Sequence, residues 1–317
     1  MLAVSGSPYR HHSDLSAICA YFNPFNYAQR FENFCRFAEP FVEGGVQLIV
    51  AEGHLRGARR LPADRRMTIV PAACHDVIWQ KERLLNLALA RVPDHCQYVA
   101  WVDCDILFDD PDWMIRAVDA LQRDRVGFIQ PFETVFLLPP NTRRSGRPIM
   151  QNGYAHSVAR HAHCLEAESW EQHGHTGFAW VARVDILRGA GFYDRCIIGS
   201  GDHVMAHAMT HTTESGCVKT LLGSESPHYQ DFQRWASNWV RSRWVGISYL
   251  PGTAVHLWHG DPQHRRYLDR NLELRQLGFD PSTDIELTAE GCWRFADGRW
   301  DLALWATDYF RGRREDG

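Results

Sequence analysis

Short apolar runs alternate with segments of helical period through the first 130 residues of the chain. LSAICAYF at 15–22 reads as a strand that Asn23-Pro24 stops, because proline pushes the residue before it out of the helical region. The span 27–38 then places Phe31, Phe34, Cys35 and Ala38 at helical intervals. VQLIVA at 46–51 and RMTIV at 66–70 predict a second and a third strand. In KERLLNLALARV, 81–92, Leu84, Leu85, Ala88 and Val92 share one face with Leu89 beside them, which predicts a helix packed on a sheet. YVAWV at 98–102 is a fourth strand. The span 111–121 predicts a helix with Asp110 as its N-cap and Pro111 at the first helical position, and 126–130 one more strand.

This alternation predicts an α/β fold with a largely parallel sheet covered on both faces. Ligands of such sheets bind beyond the carboxyl ends of the strands, where Asp103 and Asp105 fall. After residue 131 the rhythm breaks. The stretch LLPPNTRRSGRPIMQNGY reads as a loop or flap. A helical piece over 161–171, a strand over 177–184, a short helix over 185–190, turns over 191–201 and a helix from 202 to 209 follow. The segment 223–236 reads as a loop, 245–249 and 254–258 as strands, and the tail from 271 has no strong period.

The 317 residues are 45% hydrophobic, enough for a substantial core. A formal charge of -4, from 34 basic and 38 acidic residues, gives no broad field for nucleic acid, so a large nucleic-acid surface is not expected. Nine cysteines without a CxxC pair predict reduced thiols and a cytoplasmic protein. Neither a basic region followed by an apolar leader nor a run of about 18 apolar residues occurs, which predicts a soluble chain without a transmembrane segment; peripheral membrane contact stays open. Trp180, Phe192 and Trp258 are either core aromatics or a platform for a ring, and Trp293, Trp300 and Trp305 read as packing anchors.

Within YVAWVDCDILF, Asp103 and Asp105 are flanked by apolar residues on both sides. Desolvating carboxylates is costly without a compensating cation or donors. Two carboxylates so placed suit Mg²⁺ or Mn²⁺; the alternative is a turn with two exposed aspartates. AVHLWHG at 254–260 offers His256 and His259, a sensible complement to the carboxylates for Mn²⁺, or else hydrogen-bonded core histidines. The chain carries no G-x-G-x-x-G, no G-x-x-x-x-G-K-S/T, no HExxH and no G-x-S-x-G, so dinucleotide, P-loop, zincin and serine-hydrolase chemistries lose their local support.

In the order of these motifs, from about residue 18 to 270, the chain resembles the GT-A class of nucleotide-sugar-dependent glycosyltransferases. The nearest branch holds the β-1,4-galactosyltransferases and the polypeptide N-acetylgalactosaminyltransferases. YFNP at 21–24 resembles the strand and loop that meet the nucleotide, which implies a role for Phe22 and Asn23. Glu52 stands where the family places an acidic residue near the base or ribose, and KERLLN resembles a segment near base and diphosphate, implicating Arg83 and Asn86. DCD matches the family's metal motif, with Asp105 as ligand and Asp103 contacting ribose or ion. His259 matches the late metal-binding histidine, and His256 stands at a ligand position where methionine is usual.

HTGFAW at 175–180, GAGF at 189–192 and GSGDH at 199–203 resemble the acceptor side, implying Asp202 as general base with His203 as its rival, and Trp180 near the donor. The resemblance thus implies a GT-A fold: a mixed, mainly parallel sheet flanked by helices in one compound domain. Its nucleotide-binding half spans about 15–130 and its acceptor half 131–270, with 271–317 as an extension packed on it. It further implies Mn²⁺ or Mg²⁺, a nucleoside-diphosphate sugar with UDP as the favoured nucleotide, and a glycan, peptide, small-molecule or modified-base acceptor. The segments 139–153 and 223–236 are read as able to close over the donor. The alternatives are a nucleotidyl transferase using the same metal pair and a non-catalytic carbohydrate- or nucleotide-binding protein.

Overall fold

The computed structural model describes residues 7–57, 60–140, 148–166, 172–239 and 246–317. The predicted alternation is present as β1 (Leu15–Phe22), α1 (Ala28–Glu43), β2 (Leu48–His54), β3 (Met67–Ala73), α2 (Lys81–Leu89) and β4 (Tyr98–Val102). It continues through β5 (Ile106–Phe108), α3 (Trp113–Asp124) and β6 (Phe128–Gln130). The second half contributes β7 (Thr134–Leu137), β8 (Ile149–Asn152), α4 (Tyr154–Arg160), β9 (Ala179–Arg183), α5 (Val184–Ala190), α6 (Gly201–Met209), α7 (Gly216–Leu222) and α8 (Pro227–Trp239). It closes with β10 (Ile247–Tyr249), β11 (Thr253–His256), α9 (Asp269–Gln276), β12 (Ile285–Leu287), β13 (Trp293–Phe295) and α10 (Trp300–Gly312).

The central sheet has seven strands in the order β10-β6-β9-β4-β1-β2-β3. All neighbours are parallel except β9, which runs antiparallel to both β4 and β6. Alternation along β1 divides the core between the two faces. Ala17, Cys19 and Tyr21 join Phe34, Phe37 and Phe41 of α1 and Trp113 of α3 on one side. Ile18 and Phe22 join Leu84, Leu85 and Ala88 of α2 and Val204 and Met205 of α6 on the other. Burying each such aromatic fully stabilises the fold by about 1.5–3 kcal/mol. Burial of both faces is why these strands read as continuous apolar runs.

A second sheet, β5-β11-β7-β8, stands at the carboxyl end of the first. Its strand β11 pairs antiparallel with β5, setting His256 opposite Ile106. The residues Asp103, Cys104 and Asp105 form the turn by which the chain leaves one sheet and enters the other.

Several expectations are corrected. The helix predicted from 111 starts at Trp113, with Asp112 at the cap position. Asp110 instead accepts a bond from Asp112 N at 2.9 Å and closes a turn ahead of the helix. The segment 223–236 is largely α8 rather than loop. Ser226 Oγ accepts from Tyr229 N at 3.0 Å as a cap would, and Tyr229, Phe232, Ala236 and Trp239 form its buried stripe. Within 131–153, β7 and β8 replace an unbroken flap and α4 follows directly, with 141–147 outside the described residues. Of the helix expected over 161–171, Ala162–Glu166 is a short 3₁₀ turn, and 167–171 lie outside the described residues. The tail without a period contains α9, β12, β13 and α10, whose Leu274, Ile285, Trp293, Phe295 and Phe310 pack with Ile78 and Ile198 in a third cluster. Trp300 is exposed. Among the described residues the cysteines are free and no helix is long and apolar enough to cross a membrane.

A candidate metal and anion site at the carboxyl end of the sheet

The Asp103–Asp105 turn is pinned by segments that follow it in the chain. Asp103 N donates to Phe178 O at 2.7 Å, just before β9, and Leu257 N donates to Asp105 O at 2.8 Å, just after β11. Because β11 ends beside this turn, His256 at its last position and His259 just beyond it both reach Asp105. His259 Nε2 lies 2.9 Å from Asp105 Oδ2, His256 Nε2 lies 3.9 Å from Oδ1, and the two Nε2 atoms are 3.2 Å apart. All three side chains are buried, and one donor atom from each falls within 4.8 Å of the others.

Burial raises the Asp105 pKa, but His259 and His256 outweigh it and hold the carboxylate well below its ordinary range. Burial, the largest effect on His256, pushes it well below the ordinary histidine value and leaves a neutral imidazole. One carboxylate and two imidazoles facing a common point fit Mn²⁺, which accepts nitrogen as well as oxygen; Mg²⁺ prefers an all-oxygen shell. Behind His259, Glu315 Oε2 lies 3.6 Å from its Nδ1, and Glu315 is held by Arg30 at 2.9 Å and Arg313 at 2.7 Å. Arg265 Nη2 approaches the same imidazole at 2.9 Å.

Asp103 takes a different partner. Lys81, the first residue of α2, places Nζ 2.7 Å from Asp103 Oδ1. Burial raises the Asp103 pKa, with Lys81 opposing and Asp105 and Asp202 reinforcing the rise. Asp202 lies in the first turn of α6, which Ser200 enters at φ 76. Its Oδ1 accepts from His203 N at 3.1 Å, and a β-carbon at Gly177 would overlap its other oxygen. Burial raises the Asp202 pKa, but Lys81, His175 and Arg270 bring it below the ordinary value. Glu82, buried beside these groups, is pushed up to about 8, first by burial.

Asp103, Asp105, Asp202, His175, His256 and His259 border one cavity of about 610 Å³. Lys81, Arg30, Arg265, Arg270 and Arg313 line it too, facing Asp103, Asp105, Asp202 and Asp261, so cationic donors stand beside the carboxylates. Arg270 is fixed by bonds to Tyr309 Oη at 2.7 Å and Ser200 Oγ at 2.9 Å. Phe22, Trp79 and Trp258 add apolar wall.

Other residues singled out in the sequence lie elsewhere. Asn23 bonds both ways with the backbone of Tyr27 at 2.9 Å and fixes the turn before α1. Glu52 is buried, paired to Arg60 at 2.9 Å and accepting from Leu61 N at 2.6 Å. Arg83 binds Gly291 O at 2.6 Å and Asp194 at 3.2 Å. Asn86 brackets the backbone of Phe192, with bonds of 2.8 and 3.0 Å. Trp180 is buried, donates to Thr176 O at 2.8 Å and lines a small cleft with Lys81, Glu82 and Asp202. Phe192 packs edge-on to Trp101. His203 reaches the cavity margin, but its ring packs against His173 and His207, and burial lowers its pKa to about 3. The groups that sequence reasoning passed over are the cavity arginines and Glu315. Their signal was the density of basic residues in HRR at 264–266 and RGRRE at 311–315.

No protein-family model and no curated protein matches the chain. Its fold is a mixed α/β arrangement with a mainly parallel central sheet and flanking helices. Among solved structures it is similar to glucosyl-3-phosphoglycerate synthase from Mycobacterium tuberculosis in complex with Mn²⁺, UDP and phosphoglyceric acid. That match has 15% identity, covers 89% of this chain and 86% of that one, and has a TM-score of 0.39. It is also similar to a variant of Drosophila β1,4-galactosyltransferase 7 in complex with manganese, UDP-Gal and xylobiose, with 10% identity, 92% and 98% coverage and a TM-score of 0.38. A third is mannosyl-3-phosphoglycerate synthase from Rubrobacter xylanophilus, with 12% identity, 88% and 83% coverage and a TM-score of 0.42. With scores and identities this low, the functional reading rests on the chemistry of the site itself.

Proposed function

We propose that the chain is a metal-dependent glycosyltransferase of GT-A type, moving a sugar from a nucleoside diphosphate to an acceptor hydroxyl. The observation that carries this reading is the meeting of Asp105, His256 and His259 with lysine and arginine donors around one cavity. Asp105, His256 and His259 would hold Mn²⁺. Such an ion, when bound, supplies Lewis-acid neutralisation of the departing diphosphate. Arg265, Arg270 and Lys81 present fixed donors to the same phosphates, in a site whose low dielectric strengthens each interaction. Lys81 also holds Asp103 at the cavity wall. Asp202, kept ionised and held over Gly177, accepts the acceptor's proton; His203, turned into its imidazole neighbours, is the poorer base.

The test is donor hydrolysis by the purified chain across UDP-, GDP- and other nucleotide sugars, with Mn²⁺, Mg²⁺ or EDTA, alongside Asp105→Ala. Selective, metal-dependent release of a nucleoside diphosphate that the substitution abolishes is expected, UDP-linked donors being the first to try. Absence of donor binding under every metal condition would overturn the reading.

A further inference from the structure

At the edge of the cavity, which His173 and His203 line, lies a second group of side chains of metal-ligand type. His203 and His207 sit one turn apart on α6, Cys217 lies at the start of α7, and His173 precedes β9. The imidazole centroids form a nearly equilateral triangle of 5.0, 5.0 and 5.2 Å. Cys217 Sγ lies 3.1 Å from His207 Nε2 and 3.8 Å from His173 Nε2. One donor atom from each of the four residues falls within 4.8 Å of the others, and all four residues are buried. A tetrahedral zinc ion with bonds of about 2.0–2.1 Å to nitrogen and about 2.3 Å to sulfur sets those ligands about 3.6 Å apart. The observed separations bracket that value.

The outer contacts point the same way. His173 Nδ1 bonds Gly174 O at 3.1 Å, and His207 Nδ1 bonds Thr212 Oγ1 at 2.7 Å and Ser215 Oγ at 3.2 Å. Both rings thus spend Nδ1 on the protein and turn Nε2 toward the thiol, as ligating histidines do. His203 Nε2 is buried with no hydrogen-bond partner. Its lone pair or proton is thus not used by any protein partner and remains open to an ion. Tyr154 packs edge-on to His173 and His207 and closes one side.

We propose that His173, His203, His207 and Cys217 hold a zinc ion in a closed structural site distinct from the Asp105 cluster. Three nitrogens and a sulfur select zinc over Mn²⁺ or Mg²⁺, and four protein ligands leave no position for substrate. On binding, the Cys217 thiol gives its proton to solvent and the thiolate ligates. The ion ties the first turn of α6, which carries Asp202, to the segment containing His175 and Gly177 on which Asp202 rests.

The test uses the full chain purified without chelator. About one equivalent of zinc per chain is expected after exhaustive dialysis. Exchange for Co²⁺ should give the near-ultraviolet thiolate-to-cobalt charge-transfer band that only a cysteine ligand produces. Cys217→Ser should abolish the band and weaken metal retention, while Asp105→Ala and Cys292→Ser keep it. If Cys217→Ser does not fold, the other two variants still decide: Cys292→Ser tests the Cys74–Cys292 pair, whose sulfurs lie 3.1 Å apart. Folded wild-type protein that retains no zinc and gives no such band, a band lost in Cys292→Ser, or a band surviving Cys217→Ser overturns the assignment.

Discussion

The Asp202 carboxylate rests on Gly177, with no room between them for a β-carbon. Gly177→Ala should therefore displace the carboxylate and leave the buried sheet intact. The expected result is a fall in kcat of about 100-fold, the order that a displacement near 1 Å causes, with donor KM little changed. Steady-state kinetics together with thermal melts check it; a variant with normal kcat would remove Asp202 from the chemistry.

The two aspartates of the turn have separate partners, and substitutions should separate them. Asp105→Asn should weaken Mn²⁺ binding by more than about 100-fold, the upper range for changes just outside a metal's ligands. Asp103→Asn, which faces Lys81, should leave Mn²⁺ affinity within about tenfold and act on donor binding. Titration of Mn²⁺ by electron paramagnetic resonance distinguishes them; equal losses would show that both aspartates ligate.

Lys81→Met removes the cation facing Asp103. Breaking a fully buried pair costs about 3–5 kcal/mol, and partial exposure of this pair places the expected loss below that range. Urea unfolding measures it. Lys81→Met combined with Asp103→Asn should recover part of the loss, since Asp103 then carries no unpaired charge.

Glu82 has a folded pKa of about 8, above its unfolded value of about 4.3. The folded chain keeps a proton that the unfolded chain has lost, so this contribution is complete below about pH 4.3 and fades as pH rises to about 8. Glu82→Gln should remove that slope, up to about 1.4 kcal/mol per pH unit, and make the variant the more stable protein at pH 8. Unfolding curves across pH 5 to 9 give the comparison.

His228 has the opposite sign dependence. Burial first, then the neighbouring Arg195, lowers it to about 4 against an opposing Asp231. The unfolded chain takes up the proton from about pH 6.5, so stability is complete above that value and falls toward pH 4 by up to about 1.4 kcal/mol per unit. His228→Gln should flatten the acid limb; an unchanged slope would show that other groups set it.

Strands β1, β2 and β4 were legible because burial on both faces writes them as uninterrupted apolar runs, whereas β3 is a half-buried edge strand. The α8 signal was present too: Ser226 before Pro227, then apolar residues at 229, 232, 236 and 239. Serine, proline and polar neighbours masked it as a loop. At the site, Asp105 and its histidines were legible through residue type and spacing. The Lys81–Asp103 pair was not, since only sheet formation brings a helix start beside that turn. Arg83 and Asn86 illustrate the reverse: their side chains are consumed by Asp194, Gly291 and Phe192, segments whose proximity no local pattern encodes. The His173–His203–His207–Cys217 group was half visible, as two histidines four residues apart on α6, while its other members come from distant segments.

The antiparallel strand β9 has a consequence for how the chain is made. Among the described residues β6 pairs only with β9 and β10, so nothing joins it directly to the strands synthesised before it. As the polypeptide emerges from the ribosome, β1 to β4 can assemble early. β6 must wait, its Phe128 and Ile129 without any strand partner until residue 183 has been released and without the second until β10 follows. The interval between them is the period in which the nascent chain most needs protection from aggregation.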